Sequence, residues 1–390
     1  MRSWLISSIS IGIVADLFEP SKQQNAVAFV VLSSCAGSVV APIAGGFIST
    51  YLSWQWAFWV SLIFGGISQI MHCFVPETRS SIMLDRHAKQ LRKTGDDQNA
   101  YGPNEIRGTF WQRISWKESC KLMWRPYKFL MTEPIVMFLS LLSGFSDALI
   151  FSGLDSYGTV LQQWDFTKIQ IGLSFFALLI GYLIAYGSFL PVYRRDRKIM
   201  RTTPGKYTPE HRLWWLLYLV LLEPIGLFGY AWAATGPPVP WIVPQIFSAM
   251  IGIANLAIYQ ATIDYMVAAY GPYSASATGG NGFCRDFLAG MAALYTKPLY
   301  KKIMPGTKWQ LPIPAFILCG IGALLCIPVF VFYFYGQWFR ERSPYAKELD
   351  DDRKRKESKR EQAIIDSGSN TPTTSRPTSR EQSPSRAERQ

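Results

Sequence analysis

Eight apolar stretches in series, at 26–50, 54–75, 129–151, 169–192, 213–234, 241–265, 275–299 and 312–336, constrain this chain more than any other feature. Each is long enough to cross a hydrocarbon core of about 30 Å. One such window in a soluble protein is a buried helix; eight in 390 residues define a polytopic membrane protein. In lipid each span must satisfy its own backbone polar groups, so the expected fold class is all-α. Pro42, Gly45, Gly46, Pro134 and Pro224 fall inside these stretches and are tolerated in membrane helices. Charged residues are 17% of the chain, against about 25% in soluble domains. A ninth stretch, 3–15, is short. It follows Arg2 like a signal peptide, but no small-residue cleavage site precedes Asp16 and Glu19. It reads as part of a span, giving about nine transmembrane helices.

Lys and Arg set the expected orientation. Segment 76–128 holds 11 of them, 193–212 holds 7 and 337–390 holds 13, together 31 of 39. Alternating spans put these three segments on one side, expected to be cytoplasmic. The loops 51–53 and 235–240 opposite carry no basic residue, and Lys301, Lys302 and Lys308 are the outer exception. The net charge of +12 then reflects basic loops beside anionic lipid rather than nucleic acid. Within 76–128, residues 84–93 read as a helix. Residues 367–386, rich in Ser, Thr, Pro and Arg, have the composition of disorder.

Several chemistries are excluded. The six cysteines show neither metal spacing nor an evident disulfide framework. His72, His87 and His211 are scattered, which removes a histidine-rich di-iron oxidase. Phosphate-binding glycine loops, a nucleophile elbow and paired catalytic carboxylates are absent. The chain therefore reads as no enzyme, with no cofactor, no metal and no obligate protein partner. Its expected partners are the lipid bilayer, a small organic substrate and protons.

The second stretch places Gly37, Ala41, Pro42, Gly45 and Gly46 where small residues admit a neighbouring helix and Pro42 removes a backbone donor. This resembles the antiporter motif of the major facilitator superfamily, Gly-x-x-x-Gly-Pro-x-x-Gly-Gly, with Ala41 in place of a glycine. Further matches follow in order. They are Asp16 to Pro20, the Trp54-Gln55-Trp56 entry, Pro76-Glu77-Thr78-Arg79, Arg125-Pro126-Tyr127 with Thr132-Glu133-Pro134, Pro209-Glu210-His211-Arg212, and Ile263-Asp264-Tyr265. Together they resemble fungal 12-helix drug:proton antiporters over about residues 1–345. Sugar porters of the superfamily continue Pro-Glu-Thr with a basic residue and Gly, whereas Ser80 follows Arg79 here. The resemblance implies a major facilitator fold that lacks its first three helices. Residues 1–75 would be the remainder of the N-terminal bundle (helices 4–6) and 76–128 a cytoplasmic central loop. Residues 129–336 would form the C-terminal six-helix bundle and 337–390 a cytoplasmic disordered tail.

An ionisable residue inside a span is expensive and a functional candidate by default. Low dielectric favours the neutral form of a carboxyl, which lets such a group take up a proton on one side and release it on the other. Glu223, central in its stretch, and Asp147, nearer the outer end, are the proton-coupling candidates. Arg285 and Asp286 lie mid-span and are substrate-pathway candidates, though Arg285 can instead neutralise Asp286, Asp264 or Asp147. Asn255, Tyr259 and Gln260 share one helix face and suit either a substrate pathway or interhelical hydrogen bonds. Glu133 and Asp264 lie near the cytoplasmic ends, where pairing with Arg125, Lys128 or loop basics makes a gate. The expected function is plasma-membrane, proton-coupled efflux of amphipathic organic compounds (drugs, toxins or secondary metabolites) by alternating access. Two alternatives stand beside it: an uptake facilitator for a small polar solute or polyamine, and a non-transporting fragment.

Overall fold

Proline and glycine decide where these helices start, break and touch. The computed structural model describes residues 10, 13–14, 20–77, 80–95, 100–102, 116–202, 208–343, 345 and 347. All regular structure among them is helical. The helices are α1 (Pro20–Tyr51), α2 (Gln55–Cys73), α3 (Ser80–Thr94), α4 (Trp116–Thr132), α5 (Pro134–Leu161), α6 (Lys168–Ser174) and α7 (Phe176–Thr202). They continue with α8 (Leu216–Leu219), α9 (Leu222–Ala233), α10 (Ile242–Tyr270), α11 (Ser274–Lys302) and α12 (Pro312–Arg342). Seven helical segments among the described residues are long and apolar enough to cross a membrane: Gln23–Tyr51, Gln55–Cys73, Pro134–Trp164, Lys168–Thr202, Leu216–Ala233, Ile242–Tyr270 and Pro312–Arg342. The 29-residue α11 has the length, about 44 Å at 1.5 Å per residue, with a more polar sequence. Most of the short stretch 3–15 lies outside the described residues, as does the tail 348–390.

The boundaries differ from the hydropathy reading in three places, each with a physical cause. Pro134 opens α5, because proline lacks an N–H and suits a first helical position. This helix therefore starts five residues later than expected and runs to Leu161. Asp147 accordingly sits at mid-helix, not near the outer end. Next, α7 continues past the apolar stretch to Thr202, so Arg194, Arg195, Arg197 and Lys198 project from a helix rather than a loop. Finally, 213–234 is not one helix. Pro224 has no N–H to give the Val220 carbonyl. That carbonyl instead accepts from Glu223 N at 3.2 Å and Cys326 Sγ at 3.6 Å. The ladder breaks into α8 and α9, and Glu223 stands in the first turn of α9, near the middle of the apolar segment Leu216–Ala233.

The hub is α10, in which every residue from Ala254 to Tyr270 is buried. It packs on α1, α5, α7, α8, α9 and α11, while α5 pairs along its length with α11, and α12 closes against α5 and α9. Lipid tails are as apolar as leucine, so helices associate through van der Waals fit and interhelical hydrogen bonds. Close fit comes from glycine. A Cβ on Gly181 would lie 2.3 Å from the Ala249 carbonyl oxygen, and one on Gly252 2.9 Å from that of Leu178, so α7 and α10 meet backbone to backbone. Gly144 plays the same part against Cys284 on α11.

The motif on α1 makes one such contact. A Cβ on Gly46 would meet Lys168 O at 3.0 Å, and one on Gly172 would meet Pro42 O at 2.9 Å, so α6 seats on α1 at Pro42 and Gly46. Nothing approaches within 4 Å of where a side chain on Gly37 or Gly45 would begin. Close approach among the described residues is thus confined to one end of the motif. Neighbouring α2 buries no residue.

Candidate functional site

Buried polar side chains gather where α5, α7, α10 and α11 meet. Arg285 on α11 donates to Asp147 on α5 at 2.9 Å, and its guanidinium lies 3.4 Å from the centre of the Tyr259 ring on α10. Cys35 of α1 is buried beside this pair. Of the partners open to Arg285 in the sequence, the fold chooses Asp147. Asp264 belongs to Arg212, and Asp286 is half-buried. One turn along α10 from Tyr259, Asn255 accepts from Tyr182 Oη at 3.1 Å and donates to Ser146 Oγ at 3.2 Å. Gln260 donates to the Tyr193 hydroxyl. The three residues placed together by periodicity are therefore all in interhelical contacts, joining α10 to α5, α7 and α11.

Glu223 is different. It is fully buried, and neither carboxyl oxygen makes a hydrogen bond of good geometry to any described residue, although the Ser146 hydroxyl is close by. Gly322 on α12 lies against it and against Phe145: a Cβ there would meet Phe145 Cε1 at 3.2 Å and Glu223 Oε1 at 4.0 Å. A bare carboxylate in such a place is costly, and a bound proton removes that cost.

A second polar layer lies nearer the helix ends, at the start of α5 and the end of α12. Asp264 Oδ1 receives Arg212 Nη1 at 2.5 Å and its Oδ2 receives Gln24 Nε2 at 3.0 Å, which ties α1 to α10 and to the segment before α8. Glu210 pairs with Arg340 of α12 at 2.8 and 3.2 Å. Glu133 accepts from Tyr270 Oη at 3.1 Å. Arg125, one expected partner of Glu133, instead lies 5.7 Å from the centre of the Tyr273 ring. The Glu210–Arg340 pair was not legible in the sequence. Glu210 reads as a loop residue and Arg340 as a residue of the tail, 130 positions away. The available signal was an acidic residue at a span mouth in a side otherwise rich in Lys and Arg.

These features define a polytopic α-helical membrane protein whose helices are held by glycine contacts around a polar interior. The Major Facilitator Superfamily model matches residues 5–294, and the chain belongs to that family. It is 30% identical over 345 residues to the major facilitator superfamily multidrug transporter FLU1 of Candida albicans, covering 87% of this chain and 55% of that protein. It is 30% identical over 348 residues to efflux pump atB of Aspergillus terreus, covering 87% and 71%. An uncharacterized transporter of Schizosaccharomyces pombe is 29% identical over 337 residues, covering 86% and 59%. The chain thus spans little more than half the length of two of these relatives. The family and the efflux-type likeness expected from the motifs agree with these matches.

Proposed function

We propose that this chain belongs to a proton-coupled exporter of amphipathic organic compounds, working by alternating access in the plasma membrane. The central segment 76–128 and the tail 337–390 are assigned to the cytoplasm on the basic-residue asymmetry. The observation that carries the reading is Glu223, a fully buried carboxyl that faces the Ser146 hydroxyl and no cation among the described residues. It favours Glu223 over Asp147 as the proton carrier, because Asp147 is already neutralised by Arg285. A site that must bind and release a proton works best where no fixed cation holds the anion. Asn255, Tyr259 and Arg285 then line the substrate pathway beside it. Asp264 with Arg212 and Gln24, and Glu133 with Tyr270, hold the cytoplasmic end closed. The names of two relatives, a multidrug transporter and an efflux pump, support the substrate class.

The test is dye movement in proteoliposomes containing the full chain, driven by an imposed pH gradient, with rhodamine 6G as substrate. Transport should follow the sign of the gradient. Glu223→Gln, which is nearly isosteric and fixed neutral, should abolish the gradient dependence while dye binding persists. Transport that ignores the gradient, or is unchanged by Glu223→Gln, refutes the proposal.

A further inference from the structure

The basic helix α3 is tied closely to a span. Only residues 74–79 separate the end of α2 at Cys73 from Ser80, so its first turn lies within about 25 Å of that end at full extension. Ile70 and Met71 in the last turn of α2, with Phe74 and Val75 beyond it, are exposed apolar groups that belong in lipid. The polar surface of the bilayer is therefore within reach of α3. Among the described residues, no helix of the bundle packs along it.

The two faces of α3 differ. Asp85, Ala88 and Arg92, at i, i+3 and i+7, share one face, and residues 101–102 take it. Ala88 is buried, the Arg92 guanidinium lies 5.0 Å from the centre of the Tyr101 ring, and a Cβ on Gly102 would fall 2.1 Å from Asp85 Oδ1. Met83, Arg86, Gln90 and Lys93 share the opposite face and are exposed, as are His87 and Lys89 at its margins. Asp85, the one acidic residue of the helix, is thus turned away from this face. Arg86, Lys89, Gln90, Arg92 and Lys93 border an open, shallow groove with no carboxylate on its rim.

We propose that this face of α3 docks on anionic phospholipid headgroups, with phosphate in the groove and Met83 at the edge of the acyl region. Charge complementarity selects the partner. Each Lys or Arg held near an anionic leaflet adds attraction, and that field fades within a Debye length of about 8 Å. The short connection to α2 keeps the groove where the field acts. The inference rests neither on the export reading nor on which side of the membrane α3 occupies.

The experiment is amide hydrogen exchange of residues 80–94, read by mass spectrometry on the full chain in nanodiscs. The discs contain phosphatidylcholine alone or phosphatidylcholine with phosphatidylserine. Both leaflets then carry the same lipids and no gradient is applied, so failure here leaves the transport proposal standing. Exchange in α3 should be at least about fivefold slower with phosphatidylserine, the factor for one cation at an anionic surface. High salt should erase the difference. Arg86→Gln/Lys89→Gln/Lys93→Gln should erase it too, while exchange in α10 stays as in the parent. Equal exchange in the two lipids overturns the proposal. Lipid dependence that survives the triple variant overturns the assigned face. Slowing by inorganic phosphate in phosphatidylcholine discs, equal to that by phosphatidylserine, overturns the lipid as partner in favour of a soluble phosphoanion.

Discussion

Removing the Arg212 side chain tests how the charged end of the bundle is held. Arg212 and Asp264 have side-chain exposures of 6% and 4%, and their closest atoms are 2.5 Å apart. Arg212 Nη1 also donates to the Asp264 carbonyl at 3.1 Å. Arg212→Met keeps most of the stem and removes the cation. Asp264 is then left with Gln24, one neutral donor at 3.0 Å. Stranding a buried charge costs about 3–5 kcal/mol, whereas replacing both partners by apolar residues is often nearly neutral. The Gln24 bond and protonation of Asp264 both cushion the loss, so the lower end applies. We expect Arg212→Met to lower the unfolding free energy by about 3 kcal/mol, roughly a hundredfold in the folded-to-unfolded ratio. Arg212→Met/Asp264→Leu should recover at least half of that, and Gln24→Ala alone should cost about 1–2 kcal/mol. The assay is SDS-driven unfolding of the full chain, followed by tryptophan fluorescence. A single-variant loss below about 1 kcal/mol, or a double variant less stable than Arg212→Met, would refute the reasoning.

Three further outcomes follow from other contacts. In a double-mutant cycle on Asp147→Asn and Arg285→Met, the coupling energy should exceed about 1 kcal/mol in the same unfolding assay, because residues in direct contact are not additive. Gly181→Val should lower the melting temperature of the purified chain more than Gly187→Val does. The first drives a Cβ to 2.3 Å from the Ala249 carbonyl, while the second meets nothing within 4 Å; overpacking costs about 1–3 kcal/mol. Thr167 caps α6 in a reciprocal arrangement with Gln170, so Thr167→Ala should speed hydrogen exchange in the Lys168–Ser174 turn. That matches a lost cap of about 1 kcal/mol.

The hydropathy of the chain carried the fold class well, because spans in lipid need no partner to be helical. What it could not carry is where ladders break. Pro224 and Pro134 look alike as residues inside apolar stretches, yet one starts a helix and the other divides a span. The difference lies in position: Pro134 stands at a helix start, where no N–H is missed, and Pro224 stands inside a span, where the Val220 carbonyl loses its donor. The position of Asp147 along its helix was therefore misjudged, while Glu223 keeps the middle of its apolar segment. The candidate site was legible in part: Glu223, Asp147, Arg285, Asn255 and Tyr259 stand close together or in contact. Their pairing was not legible, since Asp147, Asp264 and Asp286 are equal partners for Arg285 until helix positions are known.

The break at Val220 and Leu221 has a mechanical consequence. An unbroken helix turns as one body, so whatever moved its lower end would move Glu223 by the same rotation. Here the lower part is anchored through Arg212 to α10 and through Glu210 to α12, while α9 seats its glycines, Gly226 and Gly229, against Phe247 of α10. One span thus carries two helical pieces, and Glu223 stands just beyond their junction. The mouth of the span and its carboxyl are held by different contacts, the first by ion pairs and the second by glycine packing against α10.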